Sequence, residues 1–142
     1  MADTTRMGPA VEAFNRSDAA YFDLYRDDVA IHGLPGTGGT VDKQGVIDFY
    51  SAFWSAFPDA KLEPVEMIVG DELVAVRLHV KGTHRGEIIG VPPSGNSVDV
   101  EEITIFKLDD EGRCMERWVR LDELSFLQQI GAMPAPAASA SR

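Results

Sequence analysis

The chain has 142 residues, a net charge of −10 at neutral pH and a 44% hydrophobic fraction, enough for one domain that buries about two thirds of its unfolded surface. The acidic balance excludes a nucleic-acid surface, which needs clustered Lys and Arg, and disfavours anionic membranes. A small neutral or apolar molecule remains compatible as a partner.

No apolar run approaches the roughly 20 residues of a membrane helix, and the opening MADTTRMGPA lacks the apolar core of a signal peptide. The single cysteine, Cys114, has no intramolecular partner, so a reducing cytoplasm is the expected location. The tail PAPAASASR at 134–142 has too little bulky apolar surface to offset its ordering entropy and is expected to be disordered. That leaves one domain over 1–133.

In chain order, residues 9–27 predict one or two short helices carrying Val11, Phe14, Tyr21, Phe22, Leu24 and Tyr25, with Ser17-Asp18 starting the second segment. VAIH at 29–32 predicts a short strand, halted by the loop GLPGTGG. That loop lacks the Lys-Ser/Thr of a phosphate loop. Asp42 caps the next helix, in which Val46, Tyr50, Phe53, Trp54 and Phe57 recur at three and four residues, and Pro58 ends it. The period then changes from near 3.6 to 2. Strands are predicted over 61–69, 72–82, 97–108 and 113–121, and a last helix runs from Asp122 to the stop at Gly131. Helices followed by an antiparallel meander predict an α+β domain.

The strand faces narrow the reading. Val74, Val76, Leu78 and Val80 share one face, and Ala75, Arg77 and His79 the other. Val98, Val100, Glu102, Thr104 and Phe106 oppose Asp99, Glu101, Ile103, Ile105 and Lys107. In the last strand Glu116, Trp118, Arg120 and Asp122 alternate with Met115, Arg117, Val119 and Leu121. Both faces are mixed, which suits a curved sheet lining a partly polar cavity. The helices can cover one face only, so a second copy is expected on the other, over Ile103, Ile105 and Val119: a homodimer.

GTHRGEIIGVPPSG, followed by a strand, a turn and ERWVRLDELSFLQQIG, resembles the SnoaL-like polyketide cyclase (ester cyclase) family of the nuclear transport factor 2-like superfamily. AFPD at 56–59 and GDELVAVR at 70–77 are also similar to the family pattern, and the likeness runs from about residue 28 to 133. The resemblance implies a cone-shaped α+β fold with N-terminal helices packed on a curved, mostly antiparallel sheet. It implies no metal and no cofactor, and a carboxylic acid/base at Asp122 with a pocket histidine at His32. The activity it implies is an intramolecular aldol condensation. Other enzymes of the isomerase or epoxide hydrolase type share the fold, as do non-catalytic ligand-binding modules. The family's histidine on the fourth strand has no equivalent among the inward positions, which read Glu102 and Thr104.

Each candidate carries two physical readings. Asp122 is either a desolvated base beside Trp118 or the N-cap of the last helix. His32 either orients a carbonyl or bonds the loop backbone. Arg77 and His79 either form a polar cavity wall or lie outward at an interface. Tyr50, Phe53 and Trp54 belong to the core stripe and can also form the pocket wall, together with Trp118. His84, between Gly82 and Gly86, reads as structural. Cys114 has no partner that would make it a nucleophile. The expected pocket brings His32, Trp54, Trp118 and Asp122 together, and the long segment RGEIIGVPPSGNS is expected as a rim element that reaches either over the cavity mouth or across the partner subunit.

Overall fold

The computed structural model describes residues 1–136, so most of the tail expected to be disordered lies outside the described residues. Helix α1 spans Met7–Asn15 and a 3-10 helix Ala19–Leu24, before strands β1 (Tyr25–His32) and β2 (Thr40–Val41). Helix α2 spans Lys43–Ala56. Strands β3 (Lys61–Val69), β4 (Leu73–Thr83), β5 (Ser97–Leu108) and β6 (Cys114–Leu121) follow, and α3 (Glu123–Gln129) closes the fold. The six strands form one sheet in the order β2-β1-β6-β5-β4-β3. All neighbours are antiparallel except β1 and β6, which run parallel. The architecture is the expected α+β one.

Local chemistry sets the element ends. The Asp42 carboxylate accepts from the Gly45 amide at 3.0 Å, and Asp18 caps the 3-10 segment by accepting from the Ala20 amide at 2.8 Å. Both satisfy amides that a helix start leaves without partners. Tyr25, read as helical from its apolar neighbours, instead opens β1 opposite Cys114. Nothing local marks that change, because the strand's parallel partner lies about ninety positions on in the chain.

All three helices lie on one side of the sheet. On that side Val74, Val76, Leu78 and Val80 of β4 and Val98, Val100 and Phe106 of β5 are buried. Phe14, Tyr21, Tyr50, Phe53 and Trp54 meet above them, mostly edge to face. The opposite side leaves Ile103 50% and Ile105 38% exposed. That is an apolar strip with no cover among the described residues.

The β4–β5 excursion is ordered by a buried histidine. His84 is fully enclosed, stacks on Phe57 and accepts from the Ser94 amide at Nδ1, which leaves the proton on Nε2 without a partner among the described residues. Ile88 tucks into the core and bridges to Val91. Ile89 holds a positive φ of 44° and lies against Gly36 of the glycine-rich loop. The two loops therefore meet at one end of the cone.

Candidate active site

A buried arginine organises the interior. Arg117 of β6 is 3% exposed and Glu102 of β5 is 7% exposed. The guanidinium donates from Nη2 to Glu102 Oε2 at 2.9 Å, and from Nε to Thr104 Oγ1 at 2.8 Å. Nη1 donates to the hydroxyls of Tyr25 at 2.8 Å and Tyr50 at 2.9 Å, with the Tyr21 hydroxyl at 3.5 Å. Thr104 passes its own hydrogen to the Trp118 carbonyl at 3.0 Å, and the Phe106 ring lies 4.8 Å from the guanidinium carbon. The chain has three tyrosines, and all of them converge on this one cation.

The electrostatics follow from burial. Desolvation pushes the Glu102 carboxyl above its ordinary range, and Arg117 offsets this only in part. Burial likewise raises Tyr21 and Tyr50, so both phenols stay protonated. Arg117 is held charged by the tyrosine oxygens and Glu102 around it, against the cost of its own burial. The nearby Cys114 thiol is pushed up to about 12 by burial and is inert as a nucleophile. Tyr21 and Tyr25 share one hydrogen bond. When Tyr25 donates in that bond, the hydrogen of Tyr21 is left for a ligand. Glu102 Oε1 makes no hydrogen bond with the described residues.

The cluster forms the polar side of a cavity of about 380 Å³. Tyr21, Glu102, Thr104 and Arg117 line it together with apolar side chains of α1, β3 and β4, among them Ala10, Pro64, Val76 and Leu78. A second cavity of about 40 Å³ lies between α2, α3 and the Leu34-Pro35 loop and shares Leu62, Glu102 and Arg117 with the first. Of the aromatic residues named from sequence, Tyr50 and Phe53 line this smaller space. Trp54 packs on Phe14, Tyr21 and Phe22 and lines neither cavity.

The expected meeting of His32, Trp54, Trp118 and Asp122 does not occur. In β6 the cavity side is Arg117 and Val119, both buried, whereas Trp118 pairs with the exposed Ile105 on the outer side. Its parity was assigned one residue out. His32 is on the same outer side, stacked on Trp118 at 5.6 Å, with Nε2 2.7 Å from Glu116 Oε2 and Nδ1 2.7 Å from Thr40 Oγ1. Asp122 is exposed and caps α3: its carboxylate accepts from the Ser125 amide at 3.2 Å and the Ser125 hydroxyl at 2.8 Å. Arg77 and His79 also face outward, bonded to Glu66 and Glu101 and to Asp99. Val119, expected in the outer face, is inside. A melting comparison checks the cap: Asp122→Ala should cost about 1 kcal/mol and Asp122→Asn almost nothing, since Asn caps as well as Asp.

Sequence reasoning missed Arg117, Tyr21 and Tyr25 as site residues. An arginine inside a strand ordinarily reads as solvent-facing. The usable signal was the company it keeps, because Val119 and Leu121 share its parity and Glu102 and Thr104 occupy the inward positions of the neighbouring strand.

The geometry has counterparts among solved structures. AclR from Streptomyces galilaeus, a candidate hydroxylase, superposes with a TM-score of 0.82 over 96% of this chain and 87% of its own, at 23% identity. IdmH from Streptomyces antibioticus, a candidate polyketide cyclase, gives 0.75 over 88% of this chain and 95% of its own, at 30% identity. TsrD from Streptomyces laurentii gives 0.79 over 94% and 100%, at 22% identity. No curated protein sequence matches. A helix-backed curved sheet around a mostly apolar cavity agrees with the family model for SnoaL-like polyketide cyclases, which matches residues 5–130, and the chain belongs to the SnoaL-like polyketide cyclase family.

Proposed function

We propose that the protein is a cofactor-independent acid/base enzyme acting on an apolar, carbonyl-bearing small molecule, in the manner of a polyketide cyclase. One observation carries this reading: a buried carboxyl with a raised pKa, paired to a buried arginine, faces an apolar cavity beside phenolic hydrogens. Perturbed titratable groups in a cavity are what proton-transfer chemistry requires. The acid/base role moves from Asp122, which is occupied as a helix cap, to Glu102.

In the cyclase reaction Glu102 takes the proton from a carbon flanked by two carbonyls. The electron pair moves onto the carbonyl oxygen, where the Tyr21 hydroxyl, backed by Tyr25 and Arg117, stabilises the enolate. The enolate carbon then attacks a second carbonyl carbon of the same molecule and closes the ring. Glu102 returns its proton to the new alkoxide, so the carboxylate is regenerated. The apolar walls hold the reacting carbons together and exclude water. IdmH, described as a candidate polyketide cyclase, is one of the neighbours whose description agrees with this chemistry.

The test is deuterium exchange at the activated carbon of a bicyclic 1,3-diketone in D2O, followed by NMR. The enzyme should accelerate exchange above buffer. A diketone that binds without accelerated exchange would leave a ligand-binding module as the function.

The outer strip of Ile103 and Ile105, continued by the half-buried Trp118, fits a twofold-related copy. Light scattering at micromolar concentration should give about twice the 15.5 kDa chain mass. A monomer at that concentration removes the dimer from the proposal.

A further inference from the structure

The larger cavity has a wall unlike its others. Its floor is sheet, tied by strand pairing, but its roof is α1, which among the described residues is hydrogen-bonded to the sheet side near its two ends. At the C-terminal end the Leu62 amide donates to Asn15 Oδ1 at 2.7 Å, Asn15 Nδ2 donates to the Leu62 carbonyl at 3.2 Å, and Lys61 Nζ donates to the Asn15 carbonyl at 2.7 Å. At the other end the Ala2 amide donates to the Gly70 carbonyl at 2.7 Å and Arg6 Nε to the Glu111 carbonyl at 2.7 Å. Between Leu62 and Gly70 no hydrogen bond among the described residues joins α1 to β3. Strand β3 is the sheet edge, Pro64 has no amide hydrogen to offer, and the pairing with β4 shifts register there. Gly8, Val11, Pro64 and Met67 line the cavity along this untied stretch.

The opposite end of the cone is narrow. The space there is about 40 Å³, little more than the roughly 30 Å³ that one water occupies in the liquid. Ile89 of one loop lies against Gly36 of the other across that end. The Glu102–Arg117 pair is shared by both spaces and so stands between them.

We propose that the ligand enters through the gap between α1 and the edge strand β3, and that its apolar body lies beneath α1 with one hydrogen-bonding oxygen turned to Tyr21 and Glu102. This rests on the cavity being the functional site. The ligand class is an uncharged, mostly apolar molecule. Among the described residues, the charged groups lining the space are the neutralising Glu102–Arg117 pair and Glu12, with no unpaired cation for an anionic group.

Gly8 supplies the probe of the portal. It lies on the cavity lining, its backbone has no positive φ, and a Cβ built there meets nothing within 4 Å. Gly8→Phe therefore narrows the gap without a clash in the core, and Gly8→Ala is the control. Leu121→Trp narrows the small space at the other end, which Leu121 lines. Binding of N-phenyl-1-naphthylamine is followed by stopped-flow fluorescence, with melting temperatures for each variant. Gly8→Phe should slow association at least tenfold and leave melting near wild type, while Gly8→Ala and Leu121→Trp bind at wild-type rates. Unchanged association in a folded Gly8→Phe, or slowing by Leu121→Trp instead, overturns the portal and leaves the catalytic reading standing. Normal probe kinetics with no diketone exchange would fail the catalytic reading and leave the portal intact. A wild-type protein that does not bind the probe overturns the portal, and diketone exchange alone then decides the catalytic reading.

Discussion

Arg117→Met should cost about 3–5 kcal/mol of stability, the range for breaking one side of a buried ion pair. The loss arises from what stays behind. Glu102 keeps its burial but loses its cation, and Tyr25, Tyr50 and Thr104 lose the donor that ordered them. The carboxyl can escape by taking a proton. At pH 7 this costs about 4 kcal/mol, from a normal Glu pKa near 4.3 and about 1.4 kcal/mol per pH unit, so the penalty has a ceiling of that order from this source. The sign of the pH effect follows. In the variant the folded-state pKa of Glu102 lies further above its unfolded value than in wild type. The folded variant thus binds more protons than its unfolded chain, and its stability declines as pH rises through the acid range. The gap between variant and wild type in urea melts should therefore narrow from pH 7 towards pH 5. A constant gap would mean that lost packing, not the stranded carboxylate, dominates. Glu102→Leu combined with Arg117→Met should recover much of the loss, because a matched apolar replacement removes both charges together.

Glu102→Gln addresses function with less structural damage. The amide oxygen still accepts from Arg117, and the guanidinium keeps Thr104, Tyr25 and Tyr50 as acceptors, so the fold should persist. The amide cannot take a proton at neutral pH. Removing one positioned base typically costs about a hundred- to ten-thousand-fold in rate, and diketone exchange should fall by that factor. Asp122→Asn, assayed alongside, should exchange at the wild-type rate, since its carboxylate is bonded to Ser125 outside both cavities. The reverse result, with Asp122→Asn inactive and Glu102→Gln active, would return the acid/base role to the end of β6.

The sequence exposed most of the fold and little of the site, for physical reasons that differ by strand. In β4 the inward residues are aliphatic at four positions, Val74, Val76, Leu78 and Val80, and in β5 Asp99, Glu101 and Lys107 mark the outward side, so parity could be read. Glu102 and Thr104 were thereby placed on the inward set. In β6 the two parities carry equal claims: Trp118 stands among charges on one, and Arg117 among Met115, Val119 and Leu121 on the other. Hydrophobicity alone favours Trp118 inside, but the outer strip of Ile105 offers it cover and the buried tyrosines satisfy Arg117. The choice is made by partners outside β6: Ile105 of the neighbouring β5 and, far away in sequence, the tyrosines of the 3-10 segment, β1 and α2. Asp122 was legible as a cap because that signal is local. His32 was legible as a bonded histidine but not as an outward one, since its face is set by parallel pairing with β6.

That parallel pairing has a consequence for how the chain is made. β1 can dock only on β6, apart from its two-residue contact with β2, and Arg117 bonds Tyr25 across 92 positions. A ribosome adding roughly 5–20 residues per second needs about 5–20 seconds to reach β6 after finishing β1. Throughout that interval β1 lacks its long sheet partner and Tyr25 its guanidinium, although Phe14 and Tyr50 can already pack on Tyr21. The β3–β4–β5 meander, by contrast, closes locally as it emerges. The nascent protein is therefore expected to hold a formed hairpin sheet while its first thirty or so residues wait, the state in which a trigger-type holdase would find a binding segment at Tyr21–Ile31.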